Sequence, residues 1–275
     1  MTEASIHSST SPTPPPPPNL NLWVKTARTA ALEAGKAILA VYETVDFGVE
    51  HKGDHSPLTK ADKAAHHIIF EMLQPLGLPI LSEEGKEILY KERKDWEWYW
   101  LVDPLDGTKE FIKRNGEFTV NIALMHQQVP VAGVIYAPTV QTLYFGSAET
   151  GVTKESPTGT ETLTPLPHRY TLADLKKKPN LKVIASKSHR TPETDAFIQQ
   201  FQKPASASMG SSFKFMLLAE GKADIYPRFA PTMEWDTAAS HAILNALNRS
   251  IYQTDLTSEL KYNKPDLLNP SFVAF

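Results

Sequence analysis

The chain has 275 residues, with 28 Lys and Arg against 31 Asp and Glu and a net charge of −3. That balance gives no electrostatic case for nucleic acid or an anionic membrane as a partner, so an anionic ligand must be held by local cations or metal ions. Cysteine is absent, which excludes a disulfide framework, thiolate zinc sites and thiol catalysis. No apolar run approaches the ~20 residues of a membrane span.

Residues 1–20 are Ser/Thr/Pro-rich, with consecutive prolines from Pro14 to Pro18. Without an apolar h-region or a basic start they are no secretory signal, and they read as a disordered, proline-rich tail. Residues 21–275 read as one catalytic domain. Trp23, Ala27, Ala30, Ala31, Ala34, Ile38 and Val41 recur at helical spacing and predict an amphipathic helix to about residue 42. A polar stretch follows, then a second helix over about 60–73. Thr59 and Asp62 look like a capping pair at its start, which is the plain structural reading of both.

Pro79-Ile80-Leu81 reads as a short strand that ends at Ser82-Glu83-Glu84-Gly85. The plain reading of these acids is a helix N-terminus beginning at Ser82, where the dipole favours them. A charged stretch then leads to Trp98-Tyr99-Trp100-Leu101-Val102, a β-prone run that drives into Asp103. Pro104 is expected to stop that strand, since it has no N–H for the ladder. Asp106-Gly107 makes a turn, and Thr108 adds a hydroxyl. Two carboxylates and a hydroxyl at a strand's carboxyl end form a typical ligand position in α/β sheets. Hard anionic groups so close together suit Mg²⁺.

Phe118, Val120, Ile122 and Leu124 alternate, which predicts a half-buried strand. Residues 130–136 and 142–145 continue it as an antiparallel meander. Residues 150–179 read as a polar loop and hairpin between two lobes. The second half alternates strand and helix: strands at about 182–185 and 223–226, helices at about 192–201, 213–220 and 237–247, as in an α/β lobe. Asp236 just before the last helix reads as its N-cap, with a free oxygen to coordinate a cation.

Several acids thus fall at element ends: Glu83, Asp103, Asp106 and Asp236, with Asp62 nearby. Gly107-Thr108 presents N–H groups after a turn, a nest for phosphate. Gly210-Ser211-Ser212 opens a helix, another anion-favouring place. Lys214 and Arg228 suit a second phosphate, and His189 suits a base or phosphate, although each alone reads as an ordinary polar residue. The D-P-L-D-G-T spacing is one residue longer than the D-x-D-G-T of haloacid-dehalogenase phosphatases, so that chemistry is excluded. No P-loop, H-E-x-x-H or G-x-S-x-G occurs.

Taken together, S-E-E-G (82–85), D-P-L-D-G-T (103–108) and W-D-T-A-A (235–239), with S-P-L-T-K-A-D (56–62) upstream, resemble the signature set of a phosphatase superfamily. It is the lithium-inhibited, Mg²⁺-dependent superfamily that includes inositol monophosphatase. The stretches 106–124, 210–215 and 226–232 are similar to its 3′(2′),5′-bisphosphate nucleotidase branch, and the resemblance runs from about residue 22 to the end. It implies a layered αβαβα sandwich, combining an α+β lobe over about 21–155 with an α/β lobe over about 156–275. It also implies two or three Mg²⁺ per active site, a nucleotide bisphosphate as substrate, and a monomer or homodimer with no integral membrane segment. The location implied is the cytoplasm, with peripheral association at the cytoplasmic face of the inner membrane left open.

By the same resemblance Glu83, Asp103, Asp106, Asp236 and the Leu105 carbonyl are the metal ligands. Gly107 and Thr108 hold the scissile phosphate. Asp62 and Thr108 help polarise the attacking water, with Glu83 near it. Ser186, His189, Gly210 and Lys214 contact the nucleotide, and Arg228 is assigned to the remaining phosphate. The activity implied is removal of the 3′-phosphate of adenosine 3′,5′-bisphosphate, with inositol or other sugar phosphates as the nearest alternative substrates. A catalytically silent nucleotide-binding protein is the alternative of a different class.

Overall fold

The structure is a computed structural model that describes residues 19–53, 57–186, 190–201 and 204–275. The expected tail up to Pro18, Ser56 and His189 lie outside the described residues. In chain order the elements begin with α1 (Leu20–Tyr42), β1 (Glu50–His51), β2 (Pro57–Leu58), α2 (Lys60–Leu73), β3 (Ile80–Ser82) and α3 (Tyr90–Arg93). Then come β4 (Trp98–Asp106), α4 (Thr108–Ile112), β5 (Thr119–His126), β6 (Val129–Ala137), β7 (Thr142–Ser147), β8 (Gly151–Ser156) and β9 (Gly159–Leu163). The second half holds α5 (Leu172–Lys177), β10 (Lys182–Ser186), α6 (Pro192–Ile198), β11 (Ala205–Met209), α7 (Phe213–Ala219), β12 (Tyr226–Arg228), α8 (Glu234–Ala246), β13 (Ile251–Gln253) and β14 (Phe272–Ala274).

Strands β3 to β9 form one seven-stranded sheet in sequence order, parallel only between β3 and β4. Residues of β8 and β9, expected in a connecting excursion, extend this sheet instead. Its period-two alternation sorts side chains into two cores. Trp100, Val102, Val120, Ile122 and Leu124 pack under α1 and α2. Tyr99, Leu101, Ala123 and Met125 pack on the opposite face, beneath α7 and α8. Strand β5 is therefore buried on both faces, not half-buried, because helices cover each side. Leu20 belongs to the α1 side core, so the folded chain begins inside the stretch read as tail.

Beyond α7 and α8 lie the parallel pair β10–β11 and the three-stranded sheet β12–β14–β13, joined through a bridge between Val183 and Ile225. Ile184, Tyr226 and Phe272 face α7 and α8. Val183, Ala185 and Val273 face outward onto Leu175 of α5 and Phe197 of α6. The layers thus run αβαβα, as the resemblance implies.

One contact fixes where α8 lies. A Cβ on Gly133 of β6 would fall 2.1 Å from the Ala239 carbonyl oxygen, so only glycine lets the helix backbone approach the sheet this closely.

Candidate active site

The site is built at the carboxyl ends of the parallel neighbours β3 and β4. Beyond Ser82 the chain turns without entering a helix, contrary to the dipole reading. The Glu83 N–H donates to the Val102 carbonyl at 3.1 Å, which sets Glu83 beside Asp103. Strand β4 does not stop at Pro104. Asp103 opposes Asn121 and Asp106 opposes Thr119, so three steps of β4 face two of β5. This bulge absorbs the missing proline donor, and the Leu105 N–H turns onto Asp103 Oδ1 at 3.0 Å. Gly107 then takes φ +97°, where a Cβ would also sit 2.9 Å from the Glu117 carbonyl. Thr108 opens α4.

Thr108 Oγ1 donates to Asp62 Oδ1 at 2.9 Å. The other Asp62 oxygen accepts from the Thr59 N–H and hydroxyl, completing the expected capping box on α2. Burial pushes the Asp62 carboxyl up, and its hydrogen bonds from Thr59 and Thr108 resist the shift.

On the opposite wall, Asp236 is not the N-cap of α8 but its third residue. Met233 is the cap, and its N–H donates to Asp236 Oδ2 at 2.9 Å. One oxygen from each of Glu83, Asp103 and Asp236 falls in a group spanning no more than 4.8 Å. Burial, and then mutual repulsion, push Asp103 and Asp236 well above the usual carboxylate range. Glu83 is raised by burial against the pull of Lys52, whose Nζ lies 2.7 Å from Glu83 Oε1. Clustered carboxylates, one buried and two half-buried, that repel one another, with an ammonium already drawn to one of them, fit a hard divalent cation on oxygen donors.

Asp106 is held by a set of hydroxyls. Its Oδ2 accepts from Ser211 Oγ at 2.6 Å and Ser212 Oγ at 3.1 Å, with Thr119 and Asn121 at 3.5 Å. Lys214 is buried. Its Nζ donates to the Ser211 carbonyl at 2.5 Å and lies 5.3 Å from the centre of the Tyr226 ring. Burial, with Arg228 adding to it, brings the Lys214 ammonium down to about 8 against Asp106, Glu110 and Glu117. Arg228 donates to the Ala230 and Pro231 carbonyls, both at 3.1 Å.

A cleft of about 890 Å³ gathers nearly all the expected positions: Glu83, Asp103, Leu105, Asp106, Gly107 and Thr108 on one side, and Ser186, Gly210, Lys214, Arg228 and Asp236 around the rest. Asp62 stands behind Thr108 and reaches the cleft through it. His189 lies outside the described residues.

The sequence reading missed Lys52, Thr119 and Asn121, and took Ser211 and Ser212 only as an anion-favouring helix start, not as hydroxyl partners of Asp106. Thr119 and Asn121 did carry a signal, because they interrupt an otherwise apolar face that continues as Ala123 and Met125.

An αβαβα sandwich whose strand ends deliver clustered carboxylates to one cleft is the architecture of metal-dependent phosphatases. The family model of the inositol monophosphatase family matches residues 19–273. The chain is 45% identical over 246 residues to the 3′(2′),5′-bisphosphate nucleotidase CysQ of Salmonella typhimurium, which spans 88% of this chain and 95% of that protein. The crystal structure of CysQ from Bacteroides thetaiotaomicron, 46% identical, superposes with a TM-score of 0.80 over 91% of this chain and 96% of its own. The chain belongs to the inositol monophosphatase family. Among the described residues, no helix is long and apolar enough to cross a membrane.

Proposed function

We propose that the chain is a Mg²⁺-dependent nucleotidase that removes the 3′-phosphate of adenosine 3′,5′-bisphosphate to give AMP and phosphate. The sulfated nucleotide PAPS is proposed as a second substrate, which places the enzyme in sulfur assimilation. One observation carries this reading: a single cleft is lined by the carboxylate cluster together with two buried cations, Lys214 and Arg228. Acids to hold cations and further cations of its own suit a ligand with two phosphates. Relatives near 45% identity named bisphosphate nucleotidases support it. Residues 21–275 would then work as one catalytic domain.

In this proposal Glu83, Asp103, Asp106, Asp236 and the Leu105 carbonyl hold two or three Mg²⁺. Bound there, the ions lower the pKa of a water and neutralise charge on the phosphoryl and leaving oxygens. The Gly107-Thr108 turn offers N–H groups to the scissile phosphate. The Thr108 hydroxyl has spent its proton on Asp62, so its oxygen serves as an acceptor that orients the attacking water. Lys214 and Arg228 neutralise the second phosphate, with Ser186 and Gly210 lining the nucleotide's path. No covalent protein intermediate is needed, since positioning and charge stabilisation suffice.

The test compares hydrolysis of adenosine 3′,5′-bisphosphate and inositol 1-phosphate in Mg²⁺. A clear preference for the bisphosphate is expected, and the reverse preference overturns the substrate assignment.

A further inference from the structure

Asp236 reaches the carboxylate cluster from the first turn of α8, where buried Glu234 accepts from the Asn263 and Lys264 N–H groups, while the lead-in before the helix is looser: Pro231 is exposed, and Thr232 and Met233 are half-buried. A strap from the C-terminal segment holds that lead-in. The Glu234 N–H donates to the Leu267 carbonyl at 2.9 Å, and the Asn269 N–H donates to the Thr232 carbonyl at 2.8 Å. Between these two bonds sits the Asn269 side chain, which is 5% exposed. Its amide nitrogen lies 2.7 Å from the Met233 carbonyl, 3.1 Å from Thr237 Oγ1 and 3.2 Å from Thr232 Oγ1. Two N–H groups serve these three acceptors, which lie on both sides of Asp236 in the chain.

The placement has a specific consequence. Met233 donates its N–H to Asp236 Oδ2, so whatever fixes Met233 also fixes that carboxylate. Asn269 grips the carbonyl of Met233 and the hydroxyl of Thr237, the residue directly after Asp236. Asp236 is also repelled by Asp106 and Glu83, so its turn works against that push.

We infer that Asn269 is a positioning residue for the metal centre: it holds the first turn of α8 so that Asp236 stays in ligating position. This rests on the reading of Asp236 as a metal ligand. Partners that orient a ligand in this way are typically worth ten- to a hundredfold in metal affinity.

The test is calorimetric titration of the full chain with Mg²⁺, beside a thermal melt of each variant. Asn269→Ala should bind Mg²⁺ roughly tenfold or more weakly. Asn248→Ala is the matched control. Asn248 lies beyond the far end of α8, and its side chain bonds to the Leu166 carbonyl at 2.6 Å. That variant should melt earlier with its Mg²⁺ affinity unchanged. If Asn269→Ala does not fold, the near-isosteric Thr237→Val removes one acceptor and should give a smaller loss in the same direction. Asn269→Ala with wild-type affinity overturns the inference, as does an equal loss in Asn248→Ala. Asp236→Asn separates this failure from that of the underlying reading: unchanged Mg²⁺ binding there overturns both, whereas weakened binding there with wild-type binding in Asn269→Ala overturns only the role of Asn269.

Discussion

Thr108 and Asp62 are 46 positions apart, yet the threonine hydroxyl donates to the aspartate at 2.9 Å, and that bond faces the cleft only through the threonine oxygen. A buried carboxylate that fixes a hydroxyl in this way sets which lone pairs the hydroxyl offers to water. Thr108→Val keeps the shape of the side chain and deletes that acceptor. It should lower kcat by about 10²- to 10⁴-fold, the range for a lost proton acceptor, with KM and Mg²⁺ affinity little changed. Steady-state kinetics across Mg²⁺ concentrations checks this; a change confined to KM would make Thr108 a phosphate contact only. Asp62→Asn is the less clean probe, since it also disturbs the capping box of α2, worth roughly 1 kcal/mol.

The carboxylate cluster makes stability depend on pH in an unusual direction. The Glu84 carboxyl is pushed up to about 7 by burial, against the pull of Lys52 and with Glu83 adding to the push. Between its ordinary value of 4.5 and about 7 the folded chain binds more protons at this group than the unfolded chain does. Stability therefore falls as pH rises through that window. Asp103 and Asp236, also raised well above the usual carboxylate range by burial, act in the same sense. Glu259 and Asp255, held at about 2, act in the opposite sense only below the ordinary carboxylate range. The melting temperature in a chelator should drop by several degrees from pH 4.5 to neutrality, and Mg²⁺ should restore it. Identical melting curves with and without Mg²⁺ at neutral pH would argue that the cluster binds no cation.

How much of this was open to sequence reasoning varied by element. The bounds of α2 and the cleft-facing acids of D-P-L-D-G-T were legible because each depends on neighbours in the chain: helical period, a capping pair, a strand running into a turn. Long-range pairing was not. Strand β11 reads A-S-A-S-M, with no β-branched or aromatic residue, and exists because β10 lies alongside it. Strand β14 is three residues set between β12 and β13. Pro104 was read as a strand stop, but the ladder continues because a bulge needs no donor there. Asp236 was set rightly at the start of the last helix but wrongly at its N-cap, since Asp at a first helical turn can serve at N-cap or N3 alike. The hydroxyls of Ser211 and Ser212 became relevant only when the fold set them against Asp106.

Lys214 offers a prediction that separates binding from chemistry. Its ammonium, lowered to about 8 by burial, is charged at neutrality and loses its proton in mildly alkaline solution. Hydrogen bonds to charged groups contribute roughly 1.5–3 kcal/mol, or about ten- to a hundredfold in affinity. Lys214→Met should raise KM for adenosine 3′,5′-bisphosphate by that factor and leave kcat within a few-fold. For a substrate with one phosphate KM should hardly move. In the wild type, KM for the bisphosphate should climb as pH passes about 8. Equal rises in KM for both substrates would mean that Lys214 serves the Met209–Ser211 loop, whose carbonyls it also meets.

Gly133 tests whether the approach of α8 to the sheet sets the site. A Cβ there would lie 2.1 Å from the Ala239 carbonyl oxygen and 2.9 Å from its carbon, both rigid helix backbone. No rotamer change relieves such a contact, so Gly133→Ala must move the helix or the strand. Overpacking of this kind costs roughly 1–3 kcal/mol or more, read as a lower urea midpoint with an unchanged slope. Because α8 also carries Asp236, the shift should reach the carboxylate cluster as well, and the Mg²⁺ concentration for half-maximal activity should rise along with the loss of stability. A less stable variant with an unaltered Mg²⁺ requirement would show that the first turn of α8 keeps its place without the rest of the helix.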